Sequence, residues 1–358
     1  RHTRCSRDWS SDVCSSDLPP IMAKHRYQQH LKNFEGIVNS ALSEFNHESK
    51  VAAPHFFYEK DGRTPFFQLQ GLARIDSKIS RHKEVAGKWL NSFKEIEDAF
   101  GKYDYWYVMA ESNKVWKFPQ EIQKYFESQA SFHLGILEAK LIQHGWIQKA
   151  GEKYVQSADA IQRFKKLAKK ADWYSSEKER DKLLKFYRDE AMEINDKLIS
   201  KEIYLNQVIE GIHELRRKAR WLGIYSSALL GKVAIGKPQS NDAMSEYVTK
   251  KNQEFKFNIL PKNEKEKNIV QFLPGGFYAM SELIKTIGDI KDPALSTEQM
   301  QKTGKLFGLT EAQIKKHLGK EYKPHHIAVP QAKKAISEMV IKKKLFQHIA
   351  DYFDKQIK

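Results

Sequence analysis

Beyond its first 21 residues the chain contains no cysteine. Both cysteines of the 358-residue sequence, Cys5 and Cys14, lie in an N-terminal stretch in which Asp8 to Leu18 resembles the translated read-through of a sequencing adapter. Residues 1–21 are therefore set aside as an artefactual or disordered tail, and Met22-Ala23-Lys24 reads as the native start. A cysteine-free body excludes disulfides, zinc-thiolate sites and thiol nucleophiles. Long apolar runs are missing too: nothing approaches the roughly 18 to 20 residues of a membrane span, and no secretory signal follows Met22. No membrane insertion and a cytoplasmic location are expected. Walker, dinucleotide-binding and Gly-x-Ser-x-Gly patterns are all lacking, so P-loop, Rossmann and hydrolase-elbow chemistry have no support. Period-two alternation is almost absent, which leaves little room for strands.

What the chain has is positive charge. It carries 61 Lys and Arg against 45 Asp and Glu, a formal net charge of +16, with a sequence pI near 9.4. Such a balance points to polyanionic partners: nucleic acid, inorganic polyphosphate or an anionic surface. The charge is most ordered in the helical run from about Ile203 to Leu230. There His213, Arg216, Arg217 and Arg220 stand at i, i+3, i+4 and i+7 and share one face. The apolar stripe Leu205, Val208, Ile212, Leu215, Ala219, Leu222 and Leu229 lies on another. Cations are thus placed at the margin of a core, where an anion would relieve their repulsion; a solvated surface stripe is the other reading.

The remaining chain reads as helices. Apolar spacing predicts one over Lys24–Phe45, a connection over Val51–Pro65, and a second helix from near Phe66. The outer side of that helix carries Arg74, Lys78 and Arg81, followed by His82, and so repeats the spacing of the basic face. A further helix is expected to stop at Gly101, just before the aromatic run Tyr103-Asp104-Tyr105-Trp106-Tyr107. That run suits packing at a bundle end or base stacking. Helices over Pro119–His144 and Ala158–Ala171 follow, the second presenting Arg163, Lys166 and Lys170 outward. Ser176-x-x-Glu179 reads as a capping box opening a helix to Ser200. Residues 231–268 form a loop-rich insertion around a short helix from Asp242 to Phe257. A helix from Phe277 is expected to end over Gly288–Pro293, with short helices near 297–306 and 310–318 and a closing helix over Pro330–Gln356.

Metal chemistry finds little footing. Glu44-x-x-His47 and Glu210-x-x-His213 have di-iron bundle spacing, but the helix carrying the first lacks a preceding Glu-bearing helix and the second is embedded among arginines. His325-His326 lacks a third ligand at recognisable spacing. No metal or cofactor is expected.

The segment His213-Glu-Leu-Arg216-Arg217-Lys-Ala-Arg220 resembles the signature helix of the CHAD family, the conserved histidine α-helical domain. Ile287-Gly288-Asp289-Ile290-Lys291-Asp292 is similar to that family's Leu-Gly-x-x-Arg-Asp helix end, and Phe100-Gly101-Lys102-Tyr103-Asp104 is a looser copy. The resemblance implies an all-α fold of two helical bundles, related as a degenerate internal repeat around a basic cavity. The halves would be about 22–155 and 156–358. It further implies non-catalytic binding of inorganic polyphosphate by His213, Arg216, Arg217 and Arg220, with Arg74, Lys78, Arg81 and His82 on a second wall. Asp104 and Asp292 would orient or neutralise buried arginines. The chain departs from the family pattern at Trp221 and Gly223, where further arginines are usual, and at Arg74, where a histidine is. A helical RNA- or DNA-binding protein and an enzyme acting on phosphoanhydrides are the alternatives. Oligomeric state is not legible.

Overall fold

The computed structural model describes residues 23–357 apart from 48–52, 152, 169–174, 201, 202, 204, 241 and 265. The adapter-like segment, both cysteines, Met22 and Lys170 lie outside the described residues. The fold is all-α, with two short two-stranded sheets among the described residues.

The chain begins with α1 (Ala23–His47), which buries the expected stripe of Leu31, Phe34, Val38, Ala41 and Leu42. The expected connection over 51–65 is corrected: α2 (Ala53–Glu59) forms there, because Phe56 and Phe57 are both buried. Its end is closed by the Gly62 amide donating to the Phe57 carbonyl at 2.8 Å. Then come α3 (Arg63–Ile79) and α4 (Lys83–Trp116). The latter runs straight through Gly101 and ends only where Lys117 takes a left-handed conformation, φ 56°. After α5 (Gln120–Gln143), β1 (Ile147–Ala150) pairs antiparallel with β2 (Lys153–Gln156), with Gly151 after β1 at φ 64°.

The second half contains α6 (Asp159–Ala168) and α7 (Ser176–Ile199). A π turn over Val208–His213 then runs into α8 (Glu214–Ala228). The expected short helix at 242–257 is replaced by two 3-10 turns flanking α9 (Lys250–Glu254), and β3 (Val233–Ile235) pairs in parallel with β4 (Val270–Phe272). Helix α10 (Pro274–Leu306) does not end at Pro293. An interior proline costs about 3 kcal/mol. Ile287, Gly288 and Lys291 before it, and Ala294, Thr297 and Met300 after it, are all buried, and that packing carries the helix across. The chain closes with α11 (Glu311–Leu318), α12 (His325–Ile336) and α13 (Leu345–Gln356), so the last helix expected from Pro330 is two, broken where Lys344 turns left-handed at φ 50°.

One large apolar core draws on both halves: Tyr27 meets Phe164 with ring centroids 5.2 Å apart, and Tyr187 stacks on Phe353 at 5.1 Å. A smaller core joins α4 and α5 to α10 and α11 through Met109, Trp116, Phe126, Met300 and Ile314.

The core also encloses an ionic cluster. The Arg26 guanidinium, fully buried, donates from Nη1 to Glu179 at 2.6 Å and from Nη2 to Glu266 at 3.4 Å. Lys232, equally buried, donates to Glu266 at 3.1 Å, to Ser176 Oγ at 2.6 Å, and to the carbonyls of Ser176 and Lys267. Ser176 and Glu179 therefore do not form the expected capping box; Ser175 stands at the N-cap, and both side chains are committed to this cluster. Two cations facing two carboxylates cancel, and the cluster ties α1 and α7 to the loop-rich segment. Breaking such a set leaves a buried charge unpaired. We expect Lys232→Met to lower unfolding free energy by about 3–5 kcal/mol in urea denaturation, and Lys232→Met with Glu266→Gln to recover part of that loss.

Candidate functional site

Helices α3 and α8 lie against one another. Contact is close because Gly71 has no side chain: a Cβ there would stand 3.3 Å from Ile224 and 3.6 Å from Tyr225. One helical turn earlier Phe67 meets Trp221, ring centroids 6.1 Å apart. Two guanidiniums lie over that same phenylalanine, Arg220 at 4.5 Å and Arg63 at 4.9 Å from its centroid. Aromatic faces attract cations, so the apolar seam holds charge rather than excluding it.

Each basic helix also sets an arginine into a notch on a long partner helix. The Arg216 guanidinium lies over Gly288 of α10, where a Cβ would come within 3.0 Å of it, and its Nε donates to the Ile284 carbonyl at 3.0 Å. Arg63 lies over Gly101 of α4 in the same way, and a Cβ there would fall 2.4 Å from Nη2. The two glycines were expected to end helices. They stand instead within α4 and α10, where a missing side chain admits a guanidinium.

The charges are unevenly answered. Arg63 donates to Glu97 from Nε and Nη2 at 2.9 and 2.8 Å and to Asp104 at 3.2 Å. Lys291 is held by Asp292 at 2.6 Å and Arg217 by Glu214 at 2.8 Å. Among the described residues no carboxylate pairs with Arg216 or Arg220. Burial, with Arg63 and Arg216 nearby, brings the Arg220 guanidinium down to about 10, still charged at neutral pH. Lys291 is likewise lowered, by burial and by Arg216 and Arg220, against the pull of Asp292.

His213, at the junction of the π turn and α8, sits with Nδ1 3.4 Å from the Lys291 ammonium. Burial first, then Lys291, Arg216, Arg217 and Arg220, lower its pKa to about 4. The ring is neutral at pH 7. With Nδ1 accepting from Lys291, Nε2 carries the hydrogen and remains a donor.

The residues expected on a second wall lie along α3 and in the turn that follows it. Arg74 lies over Trp221, 4.4 Å from the ring centroid, with its Nε buried and without a partner. Trp221, itself buried, stands between it and the Phe67 sandwich. Lys78 pairs with Glu190 and, at 3.6 Å, Glu193 of α7. At 1.5 Å per residue, Arg74 and Lys78 lie about 17 and 22 Å along α3 from Arg63. Arg81, exposed, and His82 occupy the turn before α4. Arg74 and Lys78 are thus engaged by Trp221 of α8 and by the carboxylates of α7. Asp104 holds an arginine as expected, and also accepts from the Tyr58 hydroxyl at 2.6 Å. Asp292 is exposed and its cation is Lys291 rather than an arginine. Arg63, Phe67, Glu97 and Lys291 were not singled out as site residues; Gly101 and Gly288 were the signal, had they been read as notches.

Tyr103 and Tyr107 pack with Tyr58, ring centroids 5.1–5.6 Å apart, which leaves no slot for a base between them. Glu44 pairs with Lys60, and His325 and His326 are exposed on the first turn of α12 rather than in a loop. Among the described residues no three or more His, Cys, Asp or Glu side chains are placed to hold a metal ion, and no helix is long and apolar enough to cross a membrane. Comparison with family models, curated proteins and solved structures gives no match.

Two outcomes are expected. His213 should titrate near pH 4 by NMR. Because that value lies below its unfolded one of about 6.5, the unfolded chain takes up the proton first. Its contribution to stability is then complete above pH 6.5 and lost as pH falls toward 4, and His213→Gln should flatten this part of a stability–pH profile. Separately, Gly288→Val should displace Arg216 and destabilise the fold more than Gly223→Val, since nothing lies within 4 Å of a Cβ built at Gly223.

Proposed function

We propose that the protein binds inorganic polyphosphate, or a polyanion of the same chemistry, without transforming it. The anion would lie over Arg216 and Arg220, with Lys291, His213 and Arg63 at its sides. The observation that carries the reading is the charge left over: two half-buried guanidiniums packed on a backbone carbonyl and an aromatic ring, with no carboxylate of their own among the described residues. Burial, Arg63 and Arg216 together disfavour the charge on Arg220, and an anion would offset that cost. Phosphate oxygens would accept from the guanidinium forks and from His213 Nε2–H, and counterions would leave the phosphate chain. The likeness of His213–Arg220 to the CHAD signature supports the same ligand class, as does the Arg-on-Gly arrangement at both Gly101 and Gly288.

Arg216→Ala and Arg220→Ala are each expected to weaken binding of long-chain polyphosphate by on the order of tenfold at moderate salt and to reduce the salt slope by about one. Lys78→Ala, whose charge is already committed to α7, should change it less than twofold. Unchanged affinity in both arginine variants would place the ligand elsewhere. Tighter binding of RNA or duplex DNA than of polyphosphate at matched salt would favour the nucleic-acid reading. Release of phosphate with magnesium would favour the enzyme.

A further inference from the structure

Away from the basic cluster, the loop-rich segment carries the sequence Phe255-Lys256-Phe257-Asn258-Ile259 on its surface. Phe257 is 71% exposed and Ile259 63%, and Phe255 is also exposed. This edge is not loose chain. The Thr249 hydroxyl caps α9 by accepting from the Asn252 amide at 3.2 Å. The Asn252 side chain donates to the Tyr247 carbonyl at 2.9 Å, and buried Asn258 donates from Nδ2 to the Asn252 carbonyl at 2.7 Å. Leu260 anchors the far end in the core. Between these ties the apolar side chains are held outward, Phe255 against Phe257 with centroids 5.4 Å apart and Lys256 over the Phe257 ring at 5.0 Å. Lys250, Lys251, Lys256 and Lys262 are exposed along the same segment, against exposed Glu264 and Glu254, the latter pairing with Lys250.

We propose that this edge docks on an anionic lipid bilayer, with Phe255, Phe257 and Ile259 entering the headgroup–acyl boundary and the lysines meeting lipid phosphates. Two arguments select lipid over protein. The three side chains expose roughly 300 Å² of apolar surface, short of the roughly 450 Å² of apolar area that a specific protein interface of about 800 Å² per partner contains. Aromatic and branched apolar groups flanked along the chain by lysine match an interfacial anchor, whose affinity combines shallow apolar burial with attraction to acidic headgroups. The contact is peripheral and independent of the polyphosphate reading.

The experiment is co-sedimentation of the full chain with phosphatidylcholine vesicles with and without phosphatidylserine, together with tryptophan emission of Phe257→Trp. Binding should require phosphatidylserine, weaken with salt, fall about tenfold or more in Phe257→Ser with Ile259→Ser, and blue-shift the Phe257→Trp emission. Polyphosphate affinity and circular dichroism should be unchanged in the double variant. The proposal is overturned by no binding to acidic vesicles, by binding indifferent to the double variant, by an unshifted emission on bound vesicles, or by a tip substitution that instead changes the oligomeric state.

Discussion

An arginine can be packed into a helical interior only where something receives its flat, charged end. Here the receiving surface is a glycine on a long helix, used twice: Gly288 beneath Arg216 and Gly101 beneath Arg63. Much of the site follows from that steric condition. The missing side chains let α8 approach α10 and α3 approach α4, and the approach of α3 to α8 through Gly71 then brings both guanidinium sets to one seam. At an effective dielectric near 20, two unit charges several ångströms apart still repel by about 2–4 kcal/mol. A seam with that repulsion persists because hydrocarbon packing on both sides holds it: Leu215, Ala219 and Leu222 of α8 are wholly buried.

The Arg26–Glu179–Glu266–Lys232 cluster gives the internal contrast. It is more deeply buried, contains as many carboxylates as cations, and gives its ammonium four partners. Burial demands such balance, since an unpaired ion deep in a protein loses its hydration without return. At the α3–α8 seam the balance is incomplete and the groups reach solvent. A closed, neutral cluster fastens the fold, whereas an open cluster with surplus positive charge has capacity for an anion. The difference in charge count, not the number of arginines, separates the closed cluster from the open one in this molecule.

The sequence announced the basic face of α8 because helical spacing fixes which side chains share a side, and the stripe through Ile212, Leu215, Ala219 and Leu222 told which side was buried. It announced helix content for the same reason. Helix ends were read less well. Gly101, Gly288 and Pro293 are breakers by intrinsic preference, but all three sit inside long helices whose neighbours are buried, and tertiary packing outweighs local preference. Arg63 was hidden by Gly62 and Pro65, which mark a turn and disguise the first residue of α3. Arg74 and Lys78 show the converse: i, i+4 spacing specifies a common face but not what that face meets, which here is Trp221 and the carboxylates of α7. Sequence separation also concealed the likeness of the two notches, since the segment 231–268 is inserted between Arg216 and Gly288 and has no counterpart between Arg63 and Gly101.

The histidine illustrates how much depends on such neighbours. Read alone, His213 invites a role as a proton-dependent cation whose charge draws the ligand. Its surroundings argue otherwise, since burial and four flanking cations lower its pKa to about 4. With Nδ1 facing Lys291, the ring offers Nε2–H while neutral, so it contributes a hydrogen bond across the physiological range without adding to the repulsion. Protonation then follows ligand binding rather than preceding it. An anion over Arg216 and Arg220 would offset the charges that lower the histidine, and by linkage whatever raises its pKa must make binding tighter as pH falls. Acidity would thus strengthen a hydrogen-bonded contact that the neutral ring could already make.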